Sequence, residues 1–126
     1  MNFTNRASID IIQEHMTAHS VNGCFKGGDG ETAEECWDTL EFMSGLEKPE
    51  KEEFVKKVNE RNIYYQMKDL RRKRDKLLVE SDWTQSRDLT LTNDEEWIKY
   101  RQELRDLPQT ITDIAGNKIE YPAKPI

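Results

Sequence analysis

The stretch SDWTQSRDLTLTNDEEWIKYRQELRDLP, residues 81–108, predicts two helices joined by a short connection. Ser81 and Asp82 are expected to end the first helix. Thr92 and Glu95 form a capping-box pattern, in which the hydroxyl accepts from the N3 amide and the carboxylate reaches back to the cap amide. Pro108 is expected to end the second helix, because the residue before a proline disfavours helical geometry.

Both helices carry an apolar stripe. In the second helix the spacing i, i+3, i+7, i+10 places four side chains on one face: Trp97, Tyr100, Leu104 and Leu107. In the first helix alternating steps of four and three residues give a coiled-coil-like stripe: Ile63, Met67, Leu70, Arg74 and Leu77. Two antiparallel helices can bury such stripes together. We therefore predict a helix-loop-helix whose open end is closed by Trp83.

Upstream of this pair, the sequence predicts two shorter helices. The first runs from a possible cap at Thr4 to about Ser20, with three apolar residues on one face: Ile9, Ile12 and Met16. The second starts at a capping box formed by Thr32 and Glu35 and runs to Gly45. The glycine-rich segment between them, residues 27–30, predicts a loop.

The third helix along the chain is the first member of the helix pair described above. It is expected to begin in the turn that contains Pro49 and to run to Val79, without internal Gly or Pro. Its stripe changes phase near Asn59 and Asn62, so a kink or break there is one interpretation. The fold class is thus mainly α, with about four helices.

The C-terminal residues change character and predict a short hairpin or extended arm that docks on a neighbouring subunit. The organisation expected from the sequence has three parts: a helical module over 1–60, the helix-loop-helix over 61–112, and the arm over 113–126.

The composition narrows the functional class. The chain has 126 residues, a net charge of -6, 35% hydrophobic residues and a mean hydropathy of -0.93. No apolar run approaches the ~20 residues of a membrane span, and the N-terminus lacks the pattern of a signal peptide. Two cysteines give no disulfide framework, which indicates a reducing site of synthesis. The sequence has no recognisable catalytic constellation, so we predict a protein that is not an enzyme and uses no cofactor.

Two alternatives remain open at this stage. His15, His19, Cys24 and Cys36 supply four N/S ligands that could close a zinc site, although their spacing lacks a C-x₂-C knuckle. A zinc-stabilised interaction module is therefore one alternative.

The other alternative is a small nucleic-acid-binding regulator. Its basis is a basic helix face made of six cations: Lys68, Arg71, Arg72, Lys73, Arg74 and Lys76. The negative net charge of the whole chain argues against nucleic-acid binding, and a solvated helix face is the simpler interpretation of these cations.

The C-terminal sequence resembles a bacteriophage family. A basic helix with the pattern RxxRDxLL spans residues 71–78, and DWT follows within residues 81–85. After a loop that contains Asp88 come LT at 91–92, Trp97 and YRQ at 100–102. The pattern ends with LRDLPxT, which covers residues 104–108 and Thr110. The pattern is similar to that of the tail assembly chaperone-like or tail-fibre assembly proteins of tailed phages. The resemblance implies a partner among tail-fibre or baseplate proteins. It also implies a location in the host cytoplasm during assembly, or in the virion tail as a connector.

The residues expected to form the structural core or a partner surface come from the same stretch. They are Asp82, Trp83, Thr84, Trp97, Tyr100, Arg101 and Arg105. The two arginines share a helical face, and we expect their guanidinium groups to bind carboxylates of the connection or the preceding helix: Asp75, Asp82 or Asp88. A homo-oligomer is also possible on this interpretation.

Overall fold

The computed structural model describes residues 2–21, 23–86, 88, 90–111 and 119–125. Four helices contain most of these residues: α1 (Thr4–Ala18), α2 (Ala33–Thr39), α3 (Lys51–Ser81) and α4 (Asp94–Thr110). A two-stranded antiparallel sheet joins β1 (Phe25–Lys26) to β2 (Glu41–Phe42), and a 3₁₀ turn over Asp82–Gln85 follows α3. The mainly α prediction is confirmed, whereas the two strands were not predicted.

The chain divides into two compact units: unit 1 is Met1–Gln66 and unit 2 is Met67–Ile126. Unit 1 has one apolar core, contributed by α1, α2, β2 and the first half of α3. Its buried members are Ala7, Ile11, Ile12, Met16, Ala33, Cys36, Leu40, Phe42, Phe54 and Val58. Phe54 and Val58 are fully buried.

Two of the three residues predicted for the apolar face of α1, Ile12 and Met16, are buried, whereas Ile9 is 42% exposed. The buried face also includes Ala7, Ser8 and Ile11. Ser8 can be buried because its hydroxyl donates to the carbonyl of Gly28 at 2.6 Å. Small residues let the loop approach the helix, and a stripe drawn from large apolar residues alone does not include them.

The glycine loop packs tightly against the core of unit 1. Gly28 has φ +74°, and a Cβ there would lie 2.5 Å from Cδ1 of Ile12. Gly27 has φ +67°, and a Cβ would collide with the carbonyl of Thr39. Both positions need glycine for the positive φ and for the close approach.

Asn62 ties the start of α1 to α3. Its Oδ1 accepts from the backbone N–H of Phe3 at 2.9 Å, and its Nδ2 donates to Oγ1 of Thr4 at 3.3 Å. Thr4 is therefore a helical residue held by Asn62, whereas the N-cap is Phe3, which corrects the predicted cap. Helix α3 is one α-helix across residues 59–62, so the phase change reflects a polar side chain used for packing and not a break.

The predicted ends of α2 and α3 need revision. The hydroxyl of Thr32 caps α2 by accepting from the Glu35 amide at 3.2 Å, as predicted, but the Glu35 carboxylate accepts from Glu31 N–H at 2.9 Å. Helix α2 ends at Thr39 and not at Gly45, because the chain enters β2. Pro49 precedes α3, and its carbonyl accepts from Nε1 of Trp37 at 2.8 Å.

Both predicted ends of α4 were wrong. Asn93 is the N-cap, and its carbonyl accepts from Trp97 N–H at 3.2 Å; asparagine is as good a capping residue as Thr92. Pro108 lies inside α4, which continues to Thr110. Proline removes one hydrogen bond, but the last turn persists because the flanking Leu107 and Ile111 pack into the core of unit 2.

The structure describes the C-terminal arm over residues 119–125. The predicted hairpin turn falls on residues 112–118, which lie outside the described residues. Residues 119–125 have no regular secondary structure, but Ile119 and Tyr121 pack against the apolar clusters of unit 2. Within the described ranges, no helix combines the length and the apolar character that a bilayer crossing requires.

Phe54→Ala tests the core of unit 1. We expect a loss of about 3–5 kcal/mol in the free energy of unfolding, because the fully buried ring leaves a cavity. Urea unfolding followed by circular dichroism measures it. Ile63→Ala is the control on the same helix, where the 39% exposed side chain should change stability by only about 0.5 kcal/mol. Equal losses in the two variants would contradict this core.

Candidate functional site

An aromatic cluster forms the centre of unit 2. Trp97, Tyr100 and Leu104 are buried on α4 and pack against partly buried Leu77 and Leu78 of α3. The rings of Trp97 and Tyr100 meet edge to face, with centroids 5.8 Å apart. Such pairs add about 0.5–1.5 kcal/mol beyond the burial of area. The apolar stripe that the sequence shows on α4 is thus buried along its length.

A second cluster lies further along the same helix pair. Leu107 of α4 packs with Leu70 of α3, and partly buried Met67 joins them. Later residues of α4 therefore contact earlier residues of α3, which is the antiparallel order predicted from the sequence.

Trp83 does not close the helix pair as predicted. Its ring contacts Trp97 edge to face at 5.7 Å, but the side chain is 53% exposed. Thr84 occupies the buried position instead, and its hydroxyl donates to the carbonyl of Ser81 at 2.7 Å. The tight 3₁₀ turn directs the small threonine inward and the indole outward, which the sequence pattern alone did not indicate.

Arg101 connects α4 to the end of α3. Its Nη1 donates to the carbonyl of Leu78 at 2.8 Å and to Oγ of Ser81 at 2.7 Å, while Nη2 pairs with Asp82 at 2.8 Å. The carbonyls of a last helical turn have no partner within the helix, and this guanidinium satisfies one of them. Of the three carboxylates considered for the pair, Asp82 is the one that Arg101 binds.

The other expected arginine and carboxylates lie elsewhere. Arg105 is exposed, and its Nη1 donates to Oε1 of Gln102 at 3.4 Å. Asp75 pairs with Arg74 at 2.8 Å, and Asp88 is exposed. Arg105 lies one helical turn after Arg101 on the same face of α4 but remains at the surface, so among the described residues only Arg101 makes the expected contact with a carboxylate.

Burial raises the pKa of two tyrosines in unit 2. Desolvation raises the pKa of Tyr100, and the charge of Glu80 acts in the same direction. Desolvation also raises the pKa of Tyr121, which Lys73 partly offsets. Both phenols therefore stay neutral to a higher pH than a fully solvated tyrosine.

Three of the six cations on the basic face of α3 pair with carboxylates of the same helix: Arg72, Lys73 and Arg74. Arg72 and Lys73 bind Asp69 at 2.8 and 3.1 Å, and the hydrogen bond from Arg72 holds the pKa of Asp69 below its ordinary value. The remaining members, Lys68, Arg71 and Lys76, are exposed. A solvated helix face therefore accounts for these cations, and no observation favours nucleic acid as the partner.

The zinc candidates do not form a site. His15 and His19 lie close, with ring centroids 4.4 Å apart, but Nε2 of His15 donates to the carbonyl of Glu47 at 2.9 Å. Cys24 is exposed, whereas Cys36 is buried in the core, where desolvation raises the pKa of its thiol. In the part of the chain that the structure describes, no three His, Cys, Asp or Glu side chains are arranged to hold a metal ion.

Unit 2 is therefore an antiparallel helix pair with an exposed indole at its turn. Residues 67–126 match the model of a family described as phage tail assembly chaperone protein. Comparison with curated proteins and with solved structures gives no match. The resemblance predicted from the sequence is thus confirmed by a family-model match over residues 67–126. The match supports a role in phage tail assembly, and chaperone families are in general not enzymes.

A double-mutant cycle on Arg101 and Asp82 tests the connection between α3 and α4. Arg101→Ala should cost about 2–4 kcal/mol in the free energy of unfolding, because it leaves Leu78 and Ser81 without their buried donor. Asp82→Ala should cost at most about 1 kcal/mol, since that carboxylate is 62% exposed. Urea unfolding of both single variants and the double variant gives the coupling. Additive losses would show that the pair does not interact.

The raised pKa of Tyr100 predicts how the free energy of unfolding changes at alkaline pH. Its ordinary pKa is 10.0, and the folded value lies above it, so its contribution to stability is intact below pH 10.0 and is lost as the pH rises through the folded pKa. Unfolding free energies at about pH 9 and about pH 11 should differ less in Tyr100→Phe than in the unmodified chain. An equal difference in both proteins would contradict the burial of this phenol.

Proposed function

We propose that the chain is a non-enzymatic phage tail protein that assists the assembly of tail fibres or the baseplate through a surface at the turn of unit 2. The surface is formed by the turn Asp82–Thr84, in which Asp82 and Trp83 are exposed and the buried Thr84 holds the turn from inside. The observation that carries the proposal is the half-exposed indole of Trp83, which lies within the segment that matches the family.

The surface is held in one geometry before any partner arrives. Trp83 rests on the buried Trp97, and Asp82 is fixed by the buried Arg101. Thr84 closes the turn by its hydrogen bond to Ser81. An ordered aromatic side chain loses little conformational entropy on binding, and tryptophan is among the residues that most often dominate the binding energy of an interface.

Two other apolar residues of unit 2 that lie close to these residues in the sequence are also exposed. Val79, one helical turn before Trp83, is 69% exposed, and Ile98, next to Trp97 in the sequence, is 56% exposed. A partner that covers apolar side chains around an indole gains from their burial at about 25 cal/mol per Å² before the entropic cost of association. A nascent fibre or baseplate subunit with exposed apolar surface has the complementary chemistry.

Whether the chain leaves after assembly or remains as a connector is a separate part of the proposal. We place it in the host cytoplasm during assembly. Mass spectrometry of purified virions tests the connector role. Stoichiometric amounts of the chain in the particle would support a connector, and its absence would support a transient helper.

Co-expression with the tail-fibre and baseplate proteins of the same phage tests the surface. Trp83→Ala should weaken the complex by at least about tenfold, since truncation of a central tryptophan removes a dominant contact. Titration of the purified partners measures the dissociation constant. Trp83→Phe should retain part of the affinity.

Met43→Ala is the matched control, because Met43 is an exposed apolar residue of unit 1 with 57% exposure. It should leave the complex unchanged. If Trp83→Ala binds as tightly as the unmodified chain, the turn of unit 2 is not the partner surface.

A further inference from the structure

Unit 1 contains an open groove between α1 and the first half of α3, with a volume of about 780 Å³. Its surface is mostly apolar, with Ala18 and Tyr64 exposed along it and the buried Ile11 and Phe54 directly beneath. Tyr64 is 57% exposed although it is a large aromatic residue. This groove, which we call the α1–α3 groove, lies outside the segment that matches the family.

The rim of the α1–α3 groove is acidic. Four glutamates line it, and two of them are neutralised by neighbours: Arg61 binds Glu14 at 3.0 Å, and Lys57 binds Glu53 at 3.2 Å. Glu50 and Glu60 make no ion pair with any described residue. The apolar floor is thus bordered by uncompensated negative charge.

The charge of unit 1 as a whole acts in the same direction. Residues 67–126 contain as many basic as acidic side chains, so the net charge of -6 belongs entirely to residues 1–66. A field of this sign attracts cationic partners and repels phosphates and acidic peptides.

The dimensions of the groove suit a helix. The wall formed by α3 extends from Glu50 to Tyr64, which is about 20 Å at 1.5 Å per residue. Two neighbouring helices leave a furrow into which a third helix packs its side-chain ridges. An amphipathic helix placed there buries its apolar stripe on the floor, while lysine or arginine side chains on its flanks reach the glutamates of the rim.

We propose that the α1–α3 groove is a docking site for an amphipathic helix of a partner protein with lysine or arginine on both flanks of its apolar stripe. The site goes beyond the proposed role of the turn of unit 2 and does not depend on it. It gives the chain a second contact surface, in the part that the family match does not cover.

Binding of synthetic helical peptides to the full chain tests the site. The probe is a dye-labelled peptide of leucine and lysine with leucine at i, i+3, i+4 and i+7, and fluorescence anisotropy measures its dissociation constant. Replacement of all leucines by serine should weaken binding by at least about tenfold, because the apolar stripe is lost. Replacement of all lysines by glutamate should abolish binding.

Groove variants distinguish specific docking from general attraction to an acidic protein. Ala18→Trp fills the groove from an exposed position and should weaken binding by at least about tenfold. Glu50→Lys should weaken it by about threefold or more, through the loss of one rim contact and the gain of a repulsive charge. Glu52→Lys is the matched control, because it makes the same change of charge near the start of α3 outside the groove.

Two results would overturn the proposal. The first is unchanged binding in Ala18→Trp, or equal losses in Glu50→Lys and Glu52→Lys. The second is an oligomer of the peptide-free chain in sedimentation that Ala18→Trp dissociates, because the occupant would then be a second copy. Trp83→Ala should leave peptide binding intact. The experiment can therefore reject the groove as a docking site without rejecting the turn of unit 2 as a partner surface, and the reverse also holds.

Discussion

The guanidinium of Arg101 is buried between α3 and α4. The structure of unit 2 at the end of α3 depends on the groups that pair with this buried positive charge. A buried guanidinium is costly unless its donors are used. Here the carbonyl of Leu78 and the hydroxyl of Ser81 accept from it, and Asp82 supplies the opposite charge from a more exposed position. These acceptors are the last residues of α3 and the first of the 3₁₀ turn. The network therefore sets where α3 stops more than it adds net stability.

The same residues show how far the sequence predicts this fold. The burial of Trp97, Tyr100, Leu104 and Leu107 follows directly from helical periodicity, because a repeat near 3.6 residues defines one face. The Arg101–Asp82 pair was among the expected ones, since charge and proximity along the chain limit the choice. Helix ends were less predictable: Thr92 and Asn93 are both good caps, and Pro108 is tolerated because packing of its neighbours offsets one lost hydrogen bond. The strands β1 and β2 have two residues each, too few to show a period.

Unit 1 was the harder part to predict for a physical reason. Its organisation rests on Ser8, Asn62 and Gly28, polar or small residues that give no hydrophobic signal. The family match begins at residue 67, where unit 2 also begins. This coincidence supports an N-terminal module with its own core and charge. The division at 60 and 112 expected from the sequence stays a prediction.

The turn of unit 2 places its side chains in an unusual order. A protein selected only for stability would bury the indole of Trp83, whose full burial removes ~150–250 Å² from water, and would expose the threonine beside it. The structure does the reverse: Thr84 is buried and hydrogen-bonded, and Trp83 retains half of its surface. Because Arg101 fixes the turn from one side and Trp97 supports the ring from the other, the exposed indole cannot collapse inward without breaking both contacts. The arrangement leaves a large apolar group at the surface of unit 2, supported by Trp97 from below, and this is the feature on which the proposed partner surface rests.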